Sequence, residues 1–112
     1  QILLVESGGG LQEPGNSVKL TCHGSGFKFQ SADIWWYRQA PGDKFEWVSY
    51  INNDRGTRKD YATAVKDRAT ASRDNSQSKS FLELQDLHPQ DSARYFCGVL
   101  TESGNPSELK HK

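Results

Sequence analysis

The sequence lacks a long apolar run and has no net charge, and each absence excludes a class of function. Mean hydropathy is −0.80, so we predict no transmembrane helix and no direct membrane insertion. Fourteen basic residues balance fourteen acidic ones, so nothing favours nucleic acid or an anionic membrane as a partner. At 112 residues, the chain has the length of one domain, and we predict a single domain over residues 1–112.

Apolar residues and cysteines are also scarce. Hydrophobic residues make up 34% of the chain, so the core must depend on three tryptophans, four tyrosines, five phenylalanines and a covalent tie. The two cysteines, Cys22 and Cys97, are an even number and indicate an oxidising, extracellular history.

No signal peptide is visible, so we expect a mature or trimmed product. No Asn-x-Ser/Thr site with x other than proline occurs, so no N-glycan is expected.

Constellations for catalysis or metal binding are missing from the pattern. His23, His88 and His111 lie far apart, and no nucleophile has a nearby base and orienting acid. No His/Cys pair has the spacing of metal ligands. We therefore predict a protein that is not an enzyme and has no metal and no cofactor.

Two landmarks organise what is present. Residues 34–42 read Ile-Trp-Trp-Tyr-Arg-Gln-Ala-Pro-Gly, a strand that is aromatic on both faces and ends in a turn. Residues 91–97 place Tyr95 two positions before Cys97. Cys22, Trp36 and the Tyr-x-Cys motif have the order and spacing of an immunoglobulin sandwich.

Five segments resemble framework segments of antibody heavy-chain variable domains: residues 5–11, 24–27, 38–42, 46–49 and 72–75. The resemblance runs from about residue 1 to Cys97. It implies an all-β immunoglobulin V-set β-sandwich with one inter-sheet disulfide, Cys22–Cys97, against which Trp36 packs. It also implies a module of an adaptive immune receptor that recognises antigen, secreted or in the ectodomain of a cell-surface receptor.

Alternation of side chains adds detail to this frame. Period two places Val18, Leu20 and Cys22 inward on one strand, and Ile34, Trp36 and Arg38 inward on the next. A buried arginine needs a carboxylate, and Asp91 and Glu46 are the candidates for Arg38. Arg68 with Asp91 is a second expected pair, and we assign all four residues structural roles.

The inward positions after residue 68 are unusually small. Ala69, Ala71 and Ser80 occupy places where the resembled family more often has larger apolar residues. Because interiors are densely packed, we predict that Phe27 or Phe29 leans into this region.

Three loops are expected to contact ligand, which would be a protein or other antigen. Residues 52–56, Asn-Asn-Asp-Arg-Gly, are a dense turn signal for the second of them. The candidate contacts are Lys28, Ser31 and Asp33 from the first loop, Tyr50, Asn52, Asn53, Asp54 and Arg58 from the second, and Val99, Leu100, Thr101, Glu102, Ser103, Gly104 and Asn105 from the third.

A second group of residues points to a partner chain. The outward face collects an unusual number of aromatic residues beside one glutamine: Trp35, Tyr37, Gln39, Phe45, Trp47 and Phe96. In the resembled family, this face meets a second immunoglobulin variable domain, and an adjoining receptor domain is the other candidate partner. The alternative is that the third loop folds back over the face. Tyr37 and Lys44 favour that single-domain form, whereas Phe45 and Trp47 favour pairing.

The resemblance stops after Cys97. The expected Trp/Phe-Gly-x-Gly motif is absent, so we predict a short or non-standard last strand over residues 107–112, with Leu109 as its buried residue. The tail is a non-standard joining segment or a truncated one. Framework details at residues 11–14 and 64–70 resemble non-placental heavy-chain-like genes, including those of μ-type T-cell receptor chains.

Two functions remain open at this point. The first is antigen recognition by an antibody heavy-chain domain or a heavy-chain-like T-cell receptor domain. The alternative, favoured by the missing joining motif, is an invariant variable-like module that pairs with another variable domain as a surrogate or structural partner.

Overall fold

The computed structural model describes residues 15–42 and 44–101, without the side chains of residues 100 and 101. This part of the chain contains seven strands: β1 (Val18–His23), β2 (Ala32–Gln39), β3 (Glu46–Ile51), β4 (Lys59–Tyr61), β5 (Ala69–Asp74), β6 (Lys79–Leu84) and β7 (Arg94–Thr101). Three short 3-10 turns complete it, at Phe29–Ser31, Asn75–Gln77 and Pro89–Asp91. Within these ranges, no helix is long and apolar enough to cross a membrane.

The strands form two antiparallel sheets. One has the order β1-β6-β5 and the other β4-β3-β2-β7, so the predicted all-β architecture is confirmed. The expected last strand over residues 107–112 lies outside the described residues.

Alternation of side chains decides which residues form the core. Along β2, every second residue is buried, beginning with Ala32 and including Ile34 and Trp36, as the sequence predicts. In the facing sheet, Leu82 and Leu84 of β6 are fully buried in the same way. Leu20 and Cys22 of β1 are also buried, whereas Val18, predicted inward, is only half-buried. The core therefore lies between the two inner faces.

A disulfide joins the sheets through this core. Cys22 lies on β1 and Cys97 on β7, with their Cα atoms 6.2 Å apart. Trp36 is fully buried and lies opposite Cys97 in the β2–β7 pairing. Closing a loop of this length stabilises a fold by about 4 kcal/mol in the chain-entropy picture. The expected tie and its tryptophan are both confirmed.

A charged network closes the end of the sandwich where β2 ends. Arg38 and Asp91 are only 5% and 6% exposed. Nη1 of Arg38 donates to Oδ1 of Asp91 over 2.9 Å, and Nε donates to Oε1 of Glu46 over 2.6 Å. Nη1 of Arg68 donates to Oδ2 of Asp91 over 2.7 Å. Each of the predicted pairs is therefore present.

Tyr95 ties this network to β7. Its hydroxyl donates to the backbone carbonyl of Asp91 over 2.8 Å and accepts from Nη1 of Arg38 over 3.1 Å. Burial alone would raise the pKa of Asp91, but hydrogen bonds from Arg68, the His88 amide and Arg38 outweigh burial and lower that pKa to about 2. The carboxylate therefore stays charged in the folded protein, where it pairs with both guanidinium groups.

Replacing Asp91 by asparagine should reduce the free energy of unfolding at neutral pH by about 3 kcal/mol, because two guanidinium groups lose their carboxylate. The wild-type contribution of Asp91 is present above pH 4 and is lost as the pH falls towards 2, since its folded pKa is lowered. Urea unfolding at a series of pH values from about 2 to about 7 measures both effects.

The matched control is Asp67→Asn, the same change at an exposed position beside Arg68. This control should unfold at the wild-type urea concentration at each pH. If Asp91→Asn and Asp67→Asn were equally stable at neutral pH, the network would not have the stabilising role described above.

Candidate functional site

Two loops meet at the end of the sandwich opposite the charged network. Loop 1 (residues 24–31) connects β1 to β2, and loop 2 (residues 52–58) connects β3 to β4. The amide of Asp54 donates to the carbonyl of Gln30 over 2.7 Å, and the amide of Asn53 donates to Oδ1 of Asp33 over 2.8 Å. These bonds join the loops into one continuous area, which we call the loop surface.

Loop 2 has the tight turn that its sequence predicts. Asp54 and Gly56 both have positive φ, 58° and 66°. A Cβ on Gly56 would lie 2.6 Å from Cδ1 of Ile51, so only glycine fits this position. Asn52 and Arg58 close the base of the turn. The amide of Asn52 donates to the carbonyl of Arg58 over 3.0 Å, and the amide of Arg58 donates to Oδ1 of Asn52 over 3.0 Å.

Loop 1 is anchored from below by its aromatic residues. Phe29 is buried in the core and Phe27 is half-buried against it, with ring centroids 6.1 Å apart. Ala71 and Ser80 are fully buried in the same interior, and Ala69 is half-buried. Phe29 therefore packs inward, in the same core cluster as Ala71, and its filling of the space beside Ala69 and Ser80 stays a prediction.

Arg73 holds both loops and is the residue that sequence reasoning missed. Its guanidinium donates to the backbone carbonyls of Phe29, Ala32 and Asn52 over 2.8, 2.8 and 2.6 Å. Its Cζ lies 5.0 Å from the centre of the Phe29 ring. Burial lowers the pKa of Arg73, and the nearby carboxylates of Asp33 and Asp54 oppose that change. The cation therefore links loop 1 to loop 2 through main-chain acceptors.

The predicted contacts of the first two loops lie on or beside the loop surface. Lys28, Asp54 and Arg58 are exposed. The others are half-buried: Ser31, Asp33, Tyr50, Asn52 and Asn53. Asp33 and Asn52 each use a side-chain oxygen to hold loop 2. Arg55, which the sequence analysis left out, is exposed at the tip of the turn.

The third group of predicted contacts needs a correction. Val99 is 1% exposed and lies opposite Ile34 in the core, so its assignment to the contact surface was wrong. Strand β7 continues to Thr101, which places Leu100 and Thr101 on the strand rather than in a loop. Cys97 is fully buried on the same strand, and Val99 lies two residues further along it, so alternation turns Val99 inward as well. Residues 102–105 lie outside the described residues.

The predicted partner residues lie on the outer face of the β4-β3-β2-β7 sheet. Phe45 is 61% exposed and Trp47 36% exposed. The ring of Phe45 lies 5.4 Å from that of Phe96, in an edge-on arrangement. Half-buried positions of β2 complete this face: Trp35, Tyr37 and Gln39. We call these six residues the aromatic face.

The loop surface and the aromatic face present polar, charged and aromatic side chains to solvent. Among the described residues, no group of three His, Cys, Asp or Glu side chains lies close enough together to hold a metal ion. Asp91 and Tyr95, whose pKa values are shifted, contact each other and Arg38 in the charged network rather than any part of the loop surface. Their electrostatics stabilise the fold.

A comparison with protein-family models gives an independent result. The family described as "Immunoglobulin V-set domain" matches residues 11–112. The matched range includes both sheets, the disulfide and the loop surface.

Replacing Arg73 by lysine should loosen the loop surface, because an ammonium group cannot reach the three carbonyls that the guanidinium joins. We expect a loss of about 1–2 kcal/mol in the free energy of unfolding. We also expect faster hydrogen exchange at the amides of Asn53 and Asp54, measured by NMR.

Arg55→Lys is the matched control, since it makes the same change at an exposed position of loop 2. Its exchange rates and stability should equal those of the wild type. Equal exchange in Arg73→Lys and Arg55→Lys would show that Arg73 does not hold the loops together.

Proposed function

This chain belongs to the immunoglobulin V-set family, and we propose that it is an antigen-recognition variable domain of an adaptive immune receptor. V-set domains are generally non-catalytic and typically extracellular, and they mediate protein interactions, often by pairing with other immunoglobulin domains. The observation that carries the proposal is the loop surface, in which two loops are joined to each other while their tips remain exposed.

Such an arrangement suits recognition because the loops are ordered before a ligand arrives. Loops that are rigid in the free protein lose less conformational entropy on binding. Here the backbone groups of loop 2 are bonded to Gln30, Asp33 and Arg73. The exposed side chains are then available for contacts that differ from one receptor to the next.

The composition of the loop surface also resembles that of a binding surface. It combines charged groups at Lys28, Asp54 and Arg58 with the aromatic ring of Tyr50 and the amide of Asn53. Tyrosine supplies contact area at low entropic cost, and asparagine supplies adaptable hydrogen bonds. We add Arg55 to the proposed contacts and remove Val99. Leu100, Thr101 and residues 102–105 stay in the proposal as predictions.

Within the family, we propose a heavy-chain-like domain of an antibody or of a μ-type T-cell receptor chain. The five framework segments that resemble antibody heavy-chain variable domains support this assignment. We further propose a secreted product or a receptor ectodomain, which agrees with the disulfide between Cys22 and Cys97.

A second function is favoured by a different observation. The aromatic face, on which Phe45 is 61% exposed, supports an invariant variable-like module that serves as a structural partner for another variable domain. In that case, the aromatic face would be the functional surface and the loops would have no ligand.

Sequencing transcripts that share this framework distinguishes the two functions. For a recognition domain, we expect diversity concentrated at residues 28–33, 52–58 and 98–106, with the framework constant, because these positions carry the ligand contacts. Residues 69–84 provide an internal control, since they form strands β5 and β6. Many independent clones with identical residues 98–106 would reject the recognition domain and support the invariant module.

The aromatic face leads to a prediction about self-association. We propose that it pairs with a second variable domain, since a side chain as exposed as Phe45 gains free energy when it is covered. Light scattering across a concentration series should give a mass that rises above the 12.6 kDa of the monomer. Phe45→Lys should suppress this rise because it places a charge in the apolar contact.

The control is Phe81→Lys, the same change at a half-buried position that faces outward from the other sheet. It should associate like the wild type. A constant monomer mass for the wild-type chain would reject pairing through this face and favour a domain that acts alone.

A further inference from the structure

A groove of about 660 Å³ lies beside loop 2, along strands β3 and β4. Four aromatic side chains line it: Trp35, Trp47, Tyr50 and Tyr61. They come from three neighbouring strands, β2, β3 and β4, which pair side by side in that order. The groove is therefore built on a sheet, and sheet positions hold side chains more firmly than loop tips do.

The aromatic side chains are held in place by the residues around them. Nε1 of Trp47 donates to the carbonyl of Ser49 over 3.0 Å. The ring of Trp35 lies 5.0 Å from that of Tyr50. The hydroxyl of Tyr61 accepts from the amide of Ala71 over 2.9 Å. The polar groups of Trp47 and Tyr61 are therefore bonded within the protein, and each of the four aromatic side chains has a neighbour that holds it.

The charged residues of the groove are mostly basic. Arg58, Lys59 and Lys66 line it, and Asp60 is the acidic residue among its lining residues. Asp60 already pairs with Arg58, whose Nε lies 3.4 Å from its Oδ2. Within the described part of the chain, neither Lys59 nor Lys66 forms an ion pair. The groove therefore has an excess of positive charge next to an aromatic floor.

We propose that this groove binds an aromatic ring that bears an anionic group, such as an aryl sulfonate, sulfate or phosphate. The ring packs on the aromatic floor, and the anion lies near Lys59 and Lys66. Aromatic pairs add attraction beyond their buried area. The charges add selectivity for an anion that weakens as salt screens them. Tyr50 and Arg58 are also among the proposed antigen contacts, so this inference rests on the proposed function and names a class of ligand for it.

The test uses two probes of equal shape and different charge. Naphthalene-2-sulfonate and the neutral naphthalene-2-sulfonamide are titrated into the full chain by calorimetry. We expect the sulfonate to bind with one site per chain and about tenfold more tightly than the sulfonamide, as two nearby ammonium groups can supply near a protein surface. Tryptophan fluorescence should change on binding because Trp35 and Trp47 line the groove.

Charge reversal at the rim tests the location. The double variant Lys59→Glu with Lys66→Glu should bind the sulfonate at least about tenfold more weakly and the sulfonamide as the wild type does. The matched control, Lys19→Glu with Lys44→Glu, makes the same change in net charge at exposed positions that do not line the groove. It should retain wild-type affinity.

A further pair of titrations distinguishes a free ligand from one carried on a protein. Free phenyl phosphate is compared with a short peptide that contains phosphotyrosine. Equal affinities support a free aryl anion, and tighter binding of the peptide supports a modified side chain. Equal binding of sulfonate and sulfonamide, or wild-type binding by Lys59→Glu with Lys66→Glu, would overturn the proposal. Neither result would affect the proposed loop contacts at Asn53 and Asp54.

Discussion

The disulfide between Cys22 and Cys97 is the constraint on which the rest of the structure depends. The chain has few apolar residues for its length, so a core built from burial alone would be small. The disulfide restricts the unfolded chain and joins β1 of one sheet to β7 of the other, where Cys97 lies opposite the buried Trp36. Loop 1 begins two residues after Cys22, and the last four residues of β7 follow Cys97. The disulfide therefore holds the start of loop 1 near the end of β7, beside the proposed binding surface.

The two ends of the sandwich use different chemistry. At one end, Asp91 holds two guanidinium groups and Tyr95 in a buried network, which has one arrangement and is costly to break. At the other end, Arg73 donates to the main-chain carbonyls of Phe29, Ala32 and Asn52 and to the side chain of Asn75. Because the three carbonyls belong to the backbone, the bonds that Arg73 makes to them do not depend on which side chains the loops carry.

The loop surface, the aromatic face and the groove lie close together on one side of the molecule. Tyr50 and Arg58 belong to both the proposed loop contacts and the lining of the groove, and Trp35 and Trp47 belong to both the groove and the aromatic face. A ligand in the groove would therefore contact the base of loop 2 and the margin of a paired domain. The V-set fold provides the common support, since all three areas are built on the β4-β3-β2-β7 sheet or on its connections.

The sequence by itself determined the sheet faces, the turn of loop 2 and the partners of Arg38 and Arg68, and its resemblance to heavy-chain variable domains implied the disulfide. The first three depend on period-two alternation, on turn residues and on opposite charges, each of which is visible in the order of the residues. The role of Arg73 was decided only by the tertiary structure, because its acceptors are carbonyl groups that every residue carries. The burial of Val99 was also decided there, since alternation gives the side of a strand but not the residue at which the strand ends. The groove was also decided by the tertiary structure. Lys66 and Trp35 are distant in sequence and line one groove only because β2, β3 and β4 pair side by side.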